Sequence, residues 1–226
     1  MTYDTTKDPR IIAAHLACTV LKKCVKQKPG SVLKISRERL LEPASACDSA
    51  VMTMMYMYQE PQSLVSSEPV KTLSTAVETL EEAYEKLITA NDDRTMLRAN
   101  IRWCLRTLKG LPGRFGNLGA TLASGVDLVA VKVRHVKKSG NFWNTRVTDG
   151  KAEYDVVTNL SGVVTGSVLA AAFLPPREIG GTVSEAMFLG GEKRNEEPGT
   201  IYNENQVDAK EAAGILYDEI AKQHKG

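Results

Sequence analysis

The side chains best suited to chemistry lie between residues 132 and 184. Up to residue 151, Lys132, Arg134, Lys137, Lys138, Arg146 and Lys151 stand against Asp149 alone, a local charge of +5. Cations at this density neutralise phosphates. Phe142 and Trp143 sit among them as flat rings for stacking, and Asn141, Asn144, Asn159 and Ser184 supply amide and hydroxyl groups for base edges. Together they describe a nucleic-acid-binding surface. Two blander readings stand beside it: the cations as a plain solvated face, and the two aromatic rings as plugs for the end of a barrel.

Other chemistry is poorly served. His15, His135 and His224 fall in three separate segments without an acid at ligand spacing. Neither a zinc site nor a Ser-His-Asp arrangement is expected from them. Cys18, Cys24, Cys47 and Cys104 form no C-x-x-C pair and read as buried, reduced thiols. Glu78, Glu81, Glu82 and Glu85 mark the solvated face of a helix rather than paired acid and base. The expectation is a protein without catalytic residues, metal or cofactor.

Charge along the chain refines the binding reading. Residues 192–226 carry five Lys/Arg and eight Asp/Glu, or −3, in a chain whose overall charge is +2. A basic patch followed by an acidic tail suits modest, salt-sensitive binding of a polyanion. No apolar run approaches the ~20 residues that span a bilayer, and residues 1–10 lack an apolar secretion core. A cytoplasmic protein without a membrane partner is expected.

The elements that must position these residues are of two kinds. Residues 10–26 show helical spacing after Pro9. A second helical run begins near Ser36 and ends near Tyr58, with Pro43 expected to break or restart it. Within it Met52, Met54, Met55 and Met57 read as bundle core rather than as an adaptable protein-binding surface. Val70, Leu73, Val77, Leu80, Tyr84 and Leu87 step by three and four residues, with Ser67 as a cap. This stripe suits a bundle core, or alternatively a dimer seam. Leu97, Ile101, Cys104, Leu105 and Leu108 mark a fourth helix ending near Lys109. Four amphipathic helices with short connections read as a bundle over residues 1–110. Four glycines and Pro112 between residues 110 and 119 read as a linker, assigned to 111–122, because neither the Walker nor the dinucleotide spacing is present.

Strand signals take over at Val126. Val129, Val131 and Val133 alternate with Lys132 and Arg134, Asp149-Gly150 marks a tight turn, and further strands are expected over 143–147, 152–158, 168–174 and 186–189. Five short strands in ~65 residues match an OB barrel, though spacing alone leaves an SH3-like barrel open. A last helix is expected over 206–222, with Ala209, Ala212, Ala213, Leu216 and Ile220 on one face. The fold class expected is multidomain α+β: an N-terminal helical bundle, then a five-stranded OB-fold barrel with a C-terminal helix over 123–226.

A resemblance tips the choice of barrel. Thr158-Asn159-Leu160, then Leu174-Pro175-Pro176-Arg177-Glu178-Ile179-Gly180-Gly181, then Ser184-Glu185-Ala186-Met187 resemble the tRNA-binding module of methionyl-tRNA synthetase C-termini, free-standing tRNA-binding proteins and EMAP II-type proteins. Leu174, Pro176, Gly181, Ser184 and Met187 match the module, while Pro175, Glu178 and Gly180 stand where it carries two lysines and an arginine. The resemblance spans about residues 126–191. It implies an OB fold that binds tRNA or structured RNA by shape, as an accessory to aminoacylation, with an aminoacyl-tRNA synthetase as partner. It also implies homodimers, for which the last helix or the stripe over 70–87 offers a seam. The nucleic-acid-binding residues expected are Lys132, Arg134, Lys137, Lys138, Trp143, Arg146, Asn159, Arg177 and Ser184. The alternative is a protein–protein adaptor, with a degenerate barrel and a helical partner-binding domain.

Overall fold

In the computed structural model, which describes residues 3–27, 37–89, 95–116 and 121–223, Asp8 and Pro9 set the first long helix. Asp8 accepts a hydrogen bond from the Arg10 backbone N–H, and Pro9 occupies the first turn, where its missing N–H costs nothing. The helix α1 (Pro9–Lys26) buries Ile11, Ala13, Ala14, Leu16, Ala17, Cys18, Leu21, Cys24 and Val25. Burial on more than one face marks α1 as the inner helix of its unit.

The second helix, α2 (Arg37–Met55), runs straight through Pro43, contrary to the expected break. Proline there forfeits a backbone bond, worth about 3 kcal/mol. Burial of Leu40, Pro43, Ala44, Cys47, Val51 and Met54 offsets it. Met54 is core, while Tyr56 and Tyr58 beyond the helix end are exposed. A short helix α3 (Pro61–Leu64), absent from the sequence reading, precedes α4 (Glu68–Thr89). The whole apolar stripe of α4 is buried, which makes it bundle core. Helix α2 packs on both α1 and α4.

The fifth helix, α5 (Met96–Phe115), corrects the expected linker. Gly110, Pro112 and Gly113 are helical because Leu108, Leu111 and Phe115 continue one apolar stripe and are buried. Burying two such side chains contributes about 3–6 kcal/mol, which matches the propensity cost of the glycines and proline. Arg10 adds a clasp: its guanidinium donates to the Arg114 carbonyl and lies 5.6 Å from the Phe115 ring centroid. A 3-10 turn at Leu122–Gly125 follows. Gly125 must be glycine there, since a Cβ would sit 2.6 Å from the Pro9 carbonyl oxygen. Residues 117–120 of the expected linker lie outside the described residues. The chain divides into two compact units: Met1–Asp93 with Asn100–Gly125, and Arg94–Ala99 with Val126–Gly226. The boundary falls at 125/126, with residues 96–99 of α5 grouped with the second unit.

The second unit is a curled antiparallel half-barrel with a C-terminal helix. Its strands are β1 (Leu128–Ser139), β2 (Phe142–Thr148), β3 (Glu153–Thr158), β4 (Val168–Ala172), β5 (Arg177–Ile179), β6 (Thr182–Ser184), β7 (Met187–Phe188) and β8 (Ile201–Tyr202). The main sheet runs β3-β2-β1-β4-β7, with β8 also on β1. The segment before β7 returns to β3, where the Glu185 N–H donates to the Asp155 carbonyl. Inside the curl lie Val129, Val131, Val133, Val147, Val156, Leu169, Ala171, Phe173 and Phe188. Small alanines in β4 let the strands approach closely. The hairpin β5–β6 forms a separate two-stranded sheet, turned by Gly180 and Gly181, both at positive φ. The strand count is eight rather than five because β5, β6 and β8 are too short to show a period. The last helix, α6 (Lys210–Gln223), buries Ala212 and Leu216.

Candidate nucleic-acid interface

The hairpin of β1 and β2 carries the candidate site. Beyond Val133, whose N–H and carbonyl still bond Ser167 and Gly166 ahead of β4, β1 pairs only with β2, out to Ser139 opposite Phe142. A register shift between Val133 and His135 inserts Arg134 as a bulge. One extra residue reverses the alternation beyond it. Val136 therefore packs on the core, and His135 and Lys137 turn to the outer face. On that face the cross-strand pairs, from the tip inward, are Ser139 with Phe142, Lys137 with Asn144, and His135 with Arg146.

The opposite face of the hairpin holds Lys138 and Trp143, also partners in register. The Lys138 ammonium lies 5.7 Å from the Trp143 ring centroid, so a cation–π contact already covers this half-buried ring. Phe142 is the more exposed of the two aromatic residues. Asn159 is exposed at the same end, just past Thr158, which pairs with Trp143.

Electrostatics sort the expected cations. Arg134, Lys137 and Lys138 are exposed and Lys132 half-buried. None of these four joins an ion pair among the described residues. Arg146 is different. Its guanidinium lies 3.7 Å from Asp155 and 3.9 Å from Glu153, so β3 carboxylates offset its charge. Lys137 and Lys138 lie near the hairpin tip, and Lys132 and Arg134 further inward.

Two expected contacts have structural work instead. Arg177 donates to Glu219 at 2.8 Å and to the Ile215 carbonyl at 3.5 Å, which clasps β5 to α6. Burial pushes the Glu219 carboxyl up, but hydrogen bonds and charge from Lys222 and Arg177 hold it below the ordinary range. Ser184 is buried, accepts from the Val157 N–H and donates to the Ala186 carbonyl, each at 3.0 Å. Both of its hydroxyl functions serve the barrel. The motif positions Leu174 and Pro176 are buried too, and Gly181 supplies a positive φ. What the sequence reading missed is the link from the Asn144 amide to the Thr182 hydroxyl at 3.1 Å, which joins β2 to the β5–β6 hairpin. The pair Gly180-Gly181 was its sequence signal.

The four cysteines are buried free thiols; burial pushes Cys24 up to about 11 and Cys47 to about 12. Among the described residues no group of three or more His, Cys, Asp and Glu is arranged to hold a metal. No described helix is long and apolar enough to cross a membrane. An open groove between α2 and α4 is lined by charges of both signs, among them Arg39, Glu42, Glu82 and Lys86.

No curated protein matches the chain. A family model described as "Alpha helical domain" matches residues 1–119 and stops before the half-barrel. That match takes in α1 to α5 and more than half of the 226 residues, and the chain belongs to the Alpha helical domain family.

Proposed function

We propose that this protein is a non-catalytic nucleic-acid-binding protein whose half-barrel, of OB type, holds tRNA or another structured RNA through the β1–β2 hairpin, as an accessory to aminoacylation. The observation that carries the reading is the cluster Lys132, Arg134, Lys137 and Lys138, without ion-pair partners among the described residues, beside an exposed ring. The sheet path supports the OB assignment: five strands run β3-β2-β1-β4-β7, and the chain before β7 returns to β3. Phosphates meet the cations by Coulomb attraction, and the hairpin tip and Asn159 meet unpaired bases.

The test is fluorescence anisotropy with labelled tRNA across a salt series. Replacing Lys132, Arg134, Lys137 and Lys138 with Ala should weaken binding and flatten its salt dependence by roughly 0.7–0.9 in log–log slope per lost phosphate contact. Unchanged affinity and slope would remove this patch as the contact surface.

A second reading, an adaptor that docks a protein partner on the helical unit, draws on one observation. Tyr56 and Tyr58 just after α2 and Val65 just after α3 are exposed. Under this reading, replacing the three with Ser abolishes partner capture and leaves RNA binding intact.

A further inference from the structure

We infer that the hairpin tip takes an unpaired nucleotide, with its base stacked on Phe142, and so selects single-stranded segments over duplex. This rests on the nucleic-acid reading above and names the form of ligand that the site accepts. Of the two aromatic residues on the hairpin, Trp143 is spoken for by the Lys138 ammonium at 5.7 Å. Phe142 is 37% exposed, lies outside the barrel core and stacks on no other ring among the described residues.

The next pair inward on the same face is Lys137 with Asn144, about 7 Å away along the strands. An ammonium one step from an open ring suits the phosphate of a nucleotide whose base lies on that ring. Asn144 is tied to Thr182, so its amide stands between the strand and the β5–β6 hairpin, ready for a base edge. Inward of that on the same face, Asp155 and Glu153 offset Arg146. A duplex keeps its base faces inside its own stack and can offer Phe142 nothing without unstacking. An unpaired base can.

The experiment uses the full chain and two labelled RNAs of equal length, an unstructured oligouridylate and a fully paired duplex. Wild type, Phe142→Ala, Phe142→Trp and Lys137→Ala are compared by anisotropy across a salt series. Wild type should bind oligouridylate more tightly than duplex. Phe142→Ala should weaken oligouridylate binding roughly tenfold without changing the salt slope, and Phe142→Trp should restore it. Lys137→Ala should lower the slope for both ligands. Equal affinity for the two RNAs, or no effect of Phe142→Ala, overturns the inference. If Lys137→Ala still weakens both ligands in that case, the nucleic-acid reading stands without it. If neither RNA binds and tRNA does not either, both fall.

Discussion

Single residues decide how this chain starts and how its barrel closes. Asp8 and Arg10 form a buried pair at 2.6 Å, with Tyr3 donating to the same carboxylate. Burial pushes the Asp8 carboxyl up, but hydrogen bonds from Arg10 and Tyr3 and the Arg10 charge hold it below the ordinary range. The Arg10→Ala variant should lose about 3–5 kcal/mol of stability in urea unfolding, since it leaves a carboxylate buried without its partner. A carboxyl whose folded value is lowered contributes stability that is whole above its unfolded value, near pH 4. That contribution drains away as pH falls through the folded value. The gap in stability between wild type and Asp8→Asn should therefore be flat at neutral pH and shrink only below about pH 4. Ser184 makes a second case at this scale. Ser184→Ala strands the Val157 N–H and should cost about 1–3 kcal/mol, while the salt slope of RNA binding stays at the wild-type value.

Elements show where local signals lose to packing. Gly110-Leu111-Pro112-Gly113 reads as a linker residue by residue, yet it lies inside α5, which runs on to Phe115, because Leu111 and Phe115 are buried. Leu111→Ala should therefore destabilise the protein by about 2–5 kcal/mol in chemical denaturation, where a linker residue would cost almost nothing. The hairpin β5–β6 and helix α6 form another such case. Arg177 was legible as a cation, and only the fold aims it at Glu219 and Ile215. In Arg177→Ala, hydrogen exchange should quicken in α6 and in β5–β6, and the Arg177→Glu, Glu219→Arg double variant should restore part of the protection.

At the scale of the molecule, the unit boundary at 125/126 sets how it can be cut. Residues 1–110 lack Leu111, Phe115 and the turn at Leu122–Gly125, all part of the first unit. Residues 1–125 should give a cooperative helical melt by circular dichroism, and residues 1–110 a lower and broader one. The faces expected as dimer seams tell a related story. The α4 stripe is buried within the chain; of the other expected face, Ala209, Ala212 and Leu216 are buried, while Ala213 and Ile220 are half-buried.

What the sequence by itself determined was the class and order of its parts. Period and spacing identified the four long amphipathic helices, the main strands and the closing helix, because those signals recur over two turns or several alternations within one segment. Local charge and ring density likewise picked out the β1–β2 hairpin. Only the tertiary structure decided which of those cations still face solvent. A bulge at Arg134 reversed the alternation, Trp143 acquired Lys138, Arg146 acquired Asp155 and Glu153, and Arg177 acquired Glu219. The pairings with Glu153 and Asp155 come from a neighbouring strand, and that with Glu219 from 42 residues away. Glu219 lies outside any local window around Arg177, and even for Glu153 and Asp155, close in sequence to Arg146, a charge has no periodicity to announce its partner. Charge and composition identify what a segment is able to bind; the packed fold determines which groups it has already spent on itself.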